Sequence, residues 1–173
     1  DIWVSGTLGE AALAVAARMK RIKLKPAELK QAQQRLDRPQ PRIALGLALR
    51  GVARSAIDLS DGLLADMGHI CERSKVAAVL ALERLPLSPL MRRHRHAPAG
   101  LAALLGGGDD YELCFTAAPA RRAAVERAAA KARTRVTRIG RVIRAPAGAC
   151  SVAVVDGDGL PLAPARRGFD HFG

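Results

Sequence analysis

One stretch constrains the fold more than any other: residues 56–70, AIDLSDGLLADMGHI, where strand periodicity gives way to helix periodicity. Ala56, Ile57 and Leu59 read as the end of a short buried strand. From Asp61 onward, Leu63, Leu64, Met67, Ile70 and Cys71 recur at helical spacing and predict one apolar face. Asp66, His69, Glu72 and Arg73 fall on the opposite, polar face. Ser60 is the expected N-cap, and Gly62 permits close approach of backbone or ligand at the first turn. The N–H groups at such a helix start suit phosphate oxygens. Two carboxylates there, Asp58 and Asp61, repel a polyphosphate unless a cation lies between, and magnesium held by carboxylates and phosphates suits that place. Taken alone, D-x-S-D reads more simply as a cap that steadies the helix dipole.

The rest of the chain supplies partners for this unit. Residues 2–5 predict a strand, followed by a helix over 6–22 with Leu8, Ala12, Leu13, Ala16 and Met19 inward. Pro26 opens a mostly polar helix, RPQPR at 38–42 breaks the chain, and a further helix covers 43–53. A second strand is predicted over 76–85, then a loop-and-helix region ending in LLGGGDD. YELCFTA (111–117) alternates as a half-buried strand, 120–133 is a helix, and strands follow near 135–144 and 150–155. Asp156-Gly157-Asp158-Gly159 turns the last hairpin. Strands and helices mix without a strict βαβ repeat, which predicts an α+β (mixed α/β) domain with helices packed on a mixed sheet.

At 173 residues the chain can bury one good core. No apolar run reaches membrane-spanning length. Cys71, Cys114 and Cys150 are scattered and odd in number, which fits a reduced cytoplasmic setting and core positions. The formal charge of +12 raises nucleic acid as a partner, but the Arg residues are spread through nearly every segment. Three Phe, one Tyr and one Trp leave little for base stacking, so nucleic acid is disfavoured. The densest basic run, MRRHRH at 91–96, reads as a solvated helix or loop, and His94 and His96 lack a third ligand at metal-site spacing.

Two further segments carry chemistry. LLGGGDDYEL (104–113) reads either as an acidic turn before a strand, above all for Asp110 and Glu112, or, since it has more glycines than a turn requires, as backbone packed closely against a ligand before Asp109. In GFDHF (168–172), Phe169 and Phe172 read either as core anchors of the chain end or, for Phe169 beside Gly168, as a ring that stacks on a flat heteroaromatic; the polar neighbours of Phe169 favour stacking there, with Phe172 as the core anchor.

VSGTLG (4–9), RPQPR, AIDLSDGLLADMGHI, GGDDYEL (107–113) and GFDHF, in this order, resemble the thiamine-monophosphate kinase family over essentially the whole chain. D-x-S-D-G-L alone is shared with aminoimidazole ribonucleotide synthetase and selenophosphate synthetase; the combination is more specific. The resemblance implies a fold like the aminoimidazole ribonucleotide synthetase C-terminal domain. It also implies that residues 1–173 are the C-terminal domain of a two-domain kinase, preceded by an N-terminal ATP- and metal-binding domain. The full-length enzyme is expected to be a cytoplasmic homodimer, not bound to membranes, that uses ATP and Mg2+ to phosphorylate thiamine monophosphate to thiamine diphosphate. By resemblance, Asp58 and Asp61 bind magnesium, Ser60 contacts ATP, and Asp109 and Phe169 contact the substrate. Asp109 stands where the family often has Glu, while Asp110, Tyr111 and Glu112 accompany the motif in structural places. The acceptor is then an already anionic phosphate oxygen, so a general base is dispensable and cation-binding carboxylates matter most. The alternatives are another ATP-using member of the same superfamily and a basic, non-catalytic binding module.

Overall fold

The computed structural model describes residues 1–146 and 149–162. Seven strands run in chain order as β1 (Ile2–Ser5), β2 (Ser55–Asp58), β3 (Val76–Ala81), β4 (Leu113–Thr116), β5 (Val136–Arg144), β6 (Val152–Val155) and β7 (Pro161–Leu162). They form one sheet in the order β2-β4-β1-β5-β3-β6-β7. Every neighbouring pair is antiparallel except β3 with β6, which is parallel. The helices are α1 (Glu10–Arg18), α2 (Pro26–Asp37), α3 (Ile43–Ala48), α4 (Leu63–Ser74), α5 (Pro89–His94), α6 (Pro98–Gly106) and α7 (Arg122–Lys131). This is the mixed sheet with packed helices that the pattern predicts.

Helices cover both faces of the sheet, because alternate residues of the central strands serve two apolar cores. Ile2, Val4 and Cys114 join Leu13, Leu63, Met67 and Leu104 from α1, α4 and α6 in the larger core. Trp3 and Phe115 point the other way, against Leu45 of α3 and Val125 and Ala128 of α7. Trp3 and Phe115 are cross-strand partners with near-parallel rings, 6.4 Å between centroids. Residues 111–117 therefore depart from the half-buried alternation expected of them. Only Leu113–Thr116 form the strand, and Cys114, Phe115 and Thr116 are all buried. A central strand covered on both sides has no solvent face to mark with polar residues.

Other boundaries are shorter than the periodicity suggests. The first helix stops at Arg18, leaving Met19 about half exposed rather than inward. The strand from Val76 ends at Ala81 in a 3-10 turn over Leu82–Arg84. Pro26, Pro89 and Pro98 each open a helix, where a missing N–H is harmless. Ser88 accepts the Met91 N–H at 3.1 Å as the side-chain cap of α5. The expected last hairpin joins β6 to β7, with Asp156 Oδ1 accepting the N–H groups of Asp158 and Leu160.

Strand pairing gathers the motifs at one edge of the sheet. Asp58 at the end of β2 is in register with Leu113 at the start of β4, and Val4 of β1 with Cys114. The segments that leave β1, leave β2 and enter β4 are VSGTLG, LSDG and GGDDYE, and they emerge side by side.

Candidate active site at the β2–α4 turn

The turn between β2 and α4 is held from two sides by hydrogen bonds. On one side lies the glycine-rich loop: Leu59 N–H donates to the Glu112 carbonyl at 2.8 Å, Tyr111 N–H to the Leu59 carbonyl at 2.8 Å, and Asp109 N–H to the Ser60 carbonyl at 3.0 Å. Contact is close enough to require the glycines. A Cβ on Gly108 would overlap the Ser60 carbonyl oxygen, and one on Gly62 would lie 2.7 Å from the Gly106 carbonyl carbon. The expected close packing of this loop is present, but its partner is the chain's own β2–α4 turn.

On the other side stands Asp66. The N–H groups of Ser60, Asp61 and Gly62 each donate to its Oδ2 at 3.1 Å. Burial pushes the Asp66 carboxyl above the ordinary range; those N–H bonds oppose the rise, and the nearby Asp61 charge adds to it. This corrects two expectations. Asp66 is 2% exposed and lies in the core, not on the polar face of α4. Ser60 does not cap the helix; Gly62 occupies the cap position at φ 114°, with no side-chain cap. The N–H groups of the turn ahead of the helix, from Leu59 to Gly62, are taken up within the chain.

The side chains expected to bind ligands lie along this rim. Asp58 is exposed, and Ser60, Asp61 and Asp109 are half-buried. Asp109 and Tyr111 both adopt positive φ (67° and 49°), which flips alternate side chains of 109–112 between solvent and core. Phe169 and the rest of GFDHF lie outside the described residues.

The donor chemistry can be tested against a divalent cation. Among the described residues, Asp61, Asp66 and His69 place one ligating atom each within 4.8 Å of one another. Asp66 Oδ2 is spent on N–H groups, and His69 Nδ1 lies 3.9 Å from Glu72 and offers nitrogen where magnesium takes oxygen. Asp58 is exposed and Asp61 half-buried, and each carries the oxygen donors that magnesium takes. A pair of carboxylates completed by water and phosphate oxygens fits a magnesium ion.

Behind the rim, Glu112 ties three distant motifs together. Its carboxylate accepts two hydrogen bonds from Arg42 (2.7 and 2.6 Å), one from Arg35 (3.0 Å) and one from the Ser5 hydroxyl (2.5 Å). Gly6, at φ 58°, leaves no room for a Cβ against that carboxylate. Burial opposes the Glu112 charge, but the bonds from Arg42 and Ser5 hold its carboxyl below the usual range. Asp110 is the contrasting case. Its Oδ2 accepts the Gly9 N–H at 2.7 Å, while Oδ1 is buried without a hydrogen-bond partner among the described residues. Burial pushes Asp110 up to about 7, against the pull of Gly9 N–H and Arg35. Cys71 and Cys114 are core thiols, raised by burial to about 11 and about 12.

Sheet, turn and rim define the class. The chain belongs to the family described as AIR synthase related protein, C-terminal domain, whose model matches residues 2–153. Within that class it is similar to thiamine-monophosphate kinases. It is 40% identical to the thiamine-monophosphate kinase of Escherichia coli (strain K12), a match covering 99% of this chain and 52% of that protein. The crystal structure of thiamine-monophosphate kinase from Stenotrophomonas maltophilia K279a superposes with a TM-score of 0.79 at 43% identity, over 92% of this chain and 50% of that one. AaThiL complexed with AMPPCP and TMP superposes with a TM-score of 0.75 at 30% identity, over 99% and 50%. The chain thus spans about half the length of the relatives it matches. Among the described residues no helix is long and apolar enough to cross a membrane.

Proposed function

We propose that this chain is the C-terminal domain, residues 1–173, of an enzyme that phosphorylates thiamine monophosphate to thiamine diphosphate with ATP and Mg2+. The observation that carries the reading is the joining of LSDG and GGDDYE into one rim, in a chain 40% identical over nearly its whole length to a thiamine-monophosphate kinase. The AaThiL complex with AMPPCP and TMP supports the same pairing of ligands. The other half of the enzyme, an N-terminal domain with further metal and nucleotide contacts, completes the site, and the full-length protein is a cytoplasmic homodimer.

In this reading Asp58 and Asp61 hold magnesium, Ser60 contacts ATP, and Asp109 and Phe169 contact thiamine monophosphate. Magnesium, when bound, neutralises the charge of the two phosphate groups that must meet. The chain's own part is to orient: the turn fixes where the Asp61 carboxylate and Ser60 hydroxyl stand, and the loop fixes Asp109. No side chain need take a proton, because the acceptor phosphate is already anionic at neutral pH.

The test uses the full-length protein. Thiamine diphosphate should form only with ATP and a divalent cation present, and Asp61→Asn should keep the fold while turnover falls at least about a hundredfold, a loss of roughly 3 kcal/mol in the barrier. Unchanged turnover in Asp61→Asn at saturating magnesium returns Asp61 to a purely structural role. Salt-sensitive binding to random nucleic acid, without magnesium-dependent ATP binding, would favour the basic binding module instead.

A further inference from the structure

We propose that the groove between the start of β5 and the segment from Glu83 to Arg95 is a second ligand site, which takes a chain of two or more phosphate groups without a metal ion. Among the described residues its walls carry five arginines against a single acid, Glu83. Arg84 comes from the turn after β3, Arg92 and Arg95 from α5 and its end, and Arg135 and Arg138 from just before and within β5. The groove encloses about 430 Å³, within the roughly 300–1,000 Å³ in which small ligands commonly sit. The basic run at 91–96 thus has a place in the fold, where two of its arginines meet three from other segments.

Little of this charge is answered within the chain. Arg35 and Arg42 share Glu112, Arg93 takes Glu28, and Arg122 takes both carboxylate oxygens of Asp1 at 2.6 and 2.9 Å. In the groove, Arg84, Arg92 and Arg135 have no ion pair among the described residues. Arg95 donates to the His96 ring at 3.0 Å rather than to an acid, and Arg138 stands 3.6 Å from the Asp1 carboxylate that Arg122 already holds. An unpaired arginine on a convex surface is simply solvated. Gathered round a concavity, such groups repel one another and focus a positive potential, and a polyanion relieves both effects. The guanidinium fork matches phosphate oxygens two at a time, so five forks exceed what one phosphate can engage. With one acid in its walls the groove has no carboxylate pair to hold a cation, and needs none. Backbone bonds fix its place beside the acidic rim. On one side of VSGTLG, Gly6 N–H donates to the Arg135 carbonyl at 2.9 Å and Leu8 N–H to the Pro86 carbonyl at 3.1 Å. On the other, the Ser5 hydroxyl and Gly9 N–H bond to Glu112 and Asp110 of GGDDYE. One segment therefore separates acids suited to a cation from arginines suited to a bare polyphosphate.

Isothermal titration calorimetry of the full-length protein with inorganic pyrophosphate tests this, after divalent metal has been removed from protein and buffer on chelating resin. One pyrophosphate should bind per chain in this groove. Arg92→Gln/Arg135→Gln changes two exposed side chains and should raise the dissociation constant at least about tenfold, the weight of a lost hydrogen bond to a charged group. Arg84→Gln/Arg95→Gln is the second groove variant, with the same loss expected, should the first fail to fold. Arg50→Gln/Arg54→Gln removes equal charge outside the groove. At about 0.15 M salt, where exposed charges more than about 8 Å apart are largely screened, that pair should leave affinity within about twofold. Asp61→Asn should also leave it unchanged, because the rim takes no part. Absence of metal-free binding overturns the proposal, and so does wild-type affinity in a folded groove variant. Equal weakening by the Arg50/Arg54 pair overturns it too, since net charge would then account for the binding. Metal-free ATP, added as a competitor, identifies the source of the phosphates. Displacement of pyrophosphate assigns the groove to the phosphate chain of a nucleotide, and no displacement assigns it to a free polyphosphate. No turnover is measured, so a protein that fails to phosphorylate thiamine monophosphate refutes the proposed function and leaves this site standing.

Discussion

Asp110→Asn should flatten the dependence of stability on pH. The Asp110 carboxyl moves from 3.8 to about 7 on folding, chiefly because it is buried. The folded chain therefore binds this proton more tightly than the unfolded chain. For an acid shifted upward, the stabilising contribution is complete below the unfolded value and lost as pH rises through the folded value. A shift of about three units at roughly 1.36 kcal/mol each sets a ceiling of about 4 kcal/mol lost between pH 4 and pH 8. Asparagine keeps a carbonyl to accept the Gly9 N–H and carries no charge. Its second atom replaces the Oδ1 that lacks a partner among the described residues. Urea unfolding of the two proteins, followed by circular dichroism from pH 5 to pH 8, isolates the effect. The shifted Asp66 carboxyl is common to both and cancels in the difference. The variant should gain on wild type steadily with pH and exceed it by a few kcal/mol at pH 8. Parallel curves across that range would show that Asp110 is not a desolvated acid, and the buried position assigned to it beside Gly9 would be wrong.

Two other perturbations probe the scaffold behind the rim. Glu112→Ala leaves Arg42 and Arg35 half-buried without their shared acceptor and should destabilise the protein by about 3–5 kcal/mol in chemical denaturation, the usual range for breaking a buried pair. Arg42→Ala, which leaves Arg35 and Ser5 on the carboxylate, should be milder. Gly108→Ala drives a Cβ into the Ser60 carbonyl, so the loop must withdraw from the turn. Magnesium-dependent ATP binding and turnover should both collapse in a protein that still folds; normal turnover would show that contact between the two motifs is dispensable.

How much of this was legible depends on whether the partner of a group is local. The β2-to-α4 switch was readable because each half has its own periodicity, and Leu63, Met67, Ile70 and Cys71 are indeed buried. Asp66 was misplaced by the same reasoning. A helical wheel assigns it to solvent, and nothing in the wheel shows that the preceding turn folds back over it. Its partners are backbone N–H groups, which every residue carries and no sequence marks. The usable hint was an acid in the first turn of a helix whose start is a glycine. Glu112 posed a different problem. Ser5 and Arg42 lie 107 and 70 positions from Glu112, and only the fold brings them together. The motifs were visible one by one, but the carboxylate that joins VSGTLG, RPQPR and GGDDYEL was not.

The acids of this edge divide by burial, and the division accounts for the repeated Asp and Glu in both motifs. In D-L-S-D-G-L-L-A-D the first two aspartates reach the rim, while the third is 2% exposed and bonded to the chain. In D-D-Y-E the positive φ of Asp109 and Tyr111 turns those two outward to differing degrees. Asp110 and Glu112 go inward, to Gly9 and to the arginines. Buried acids thus anchor the segments that carry the rim acids: Asp66 bonds the backbone of Ser60 to Gly62, and Asp110, next to Asp109, bonds Gly9. An acid can hold a cation in a fixed place only if its orientation does not relax when the cation leaves, and mutual repulsion among Asp58, Asp61 and Asp109 would drive such relaxation. Asp66, Asp110 and Glu112 oppose it by anchoring each segment to N–H groups, hydroxyl or guanidinium, so that the rim keeps its charge and its shape together.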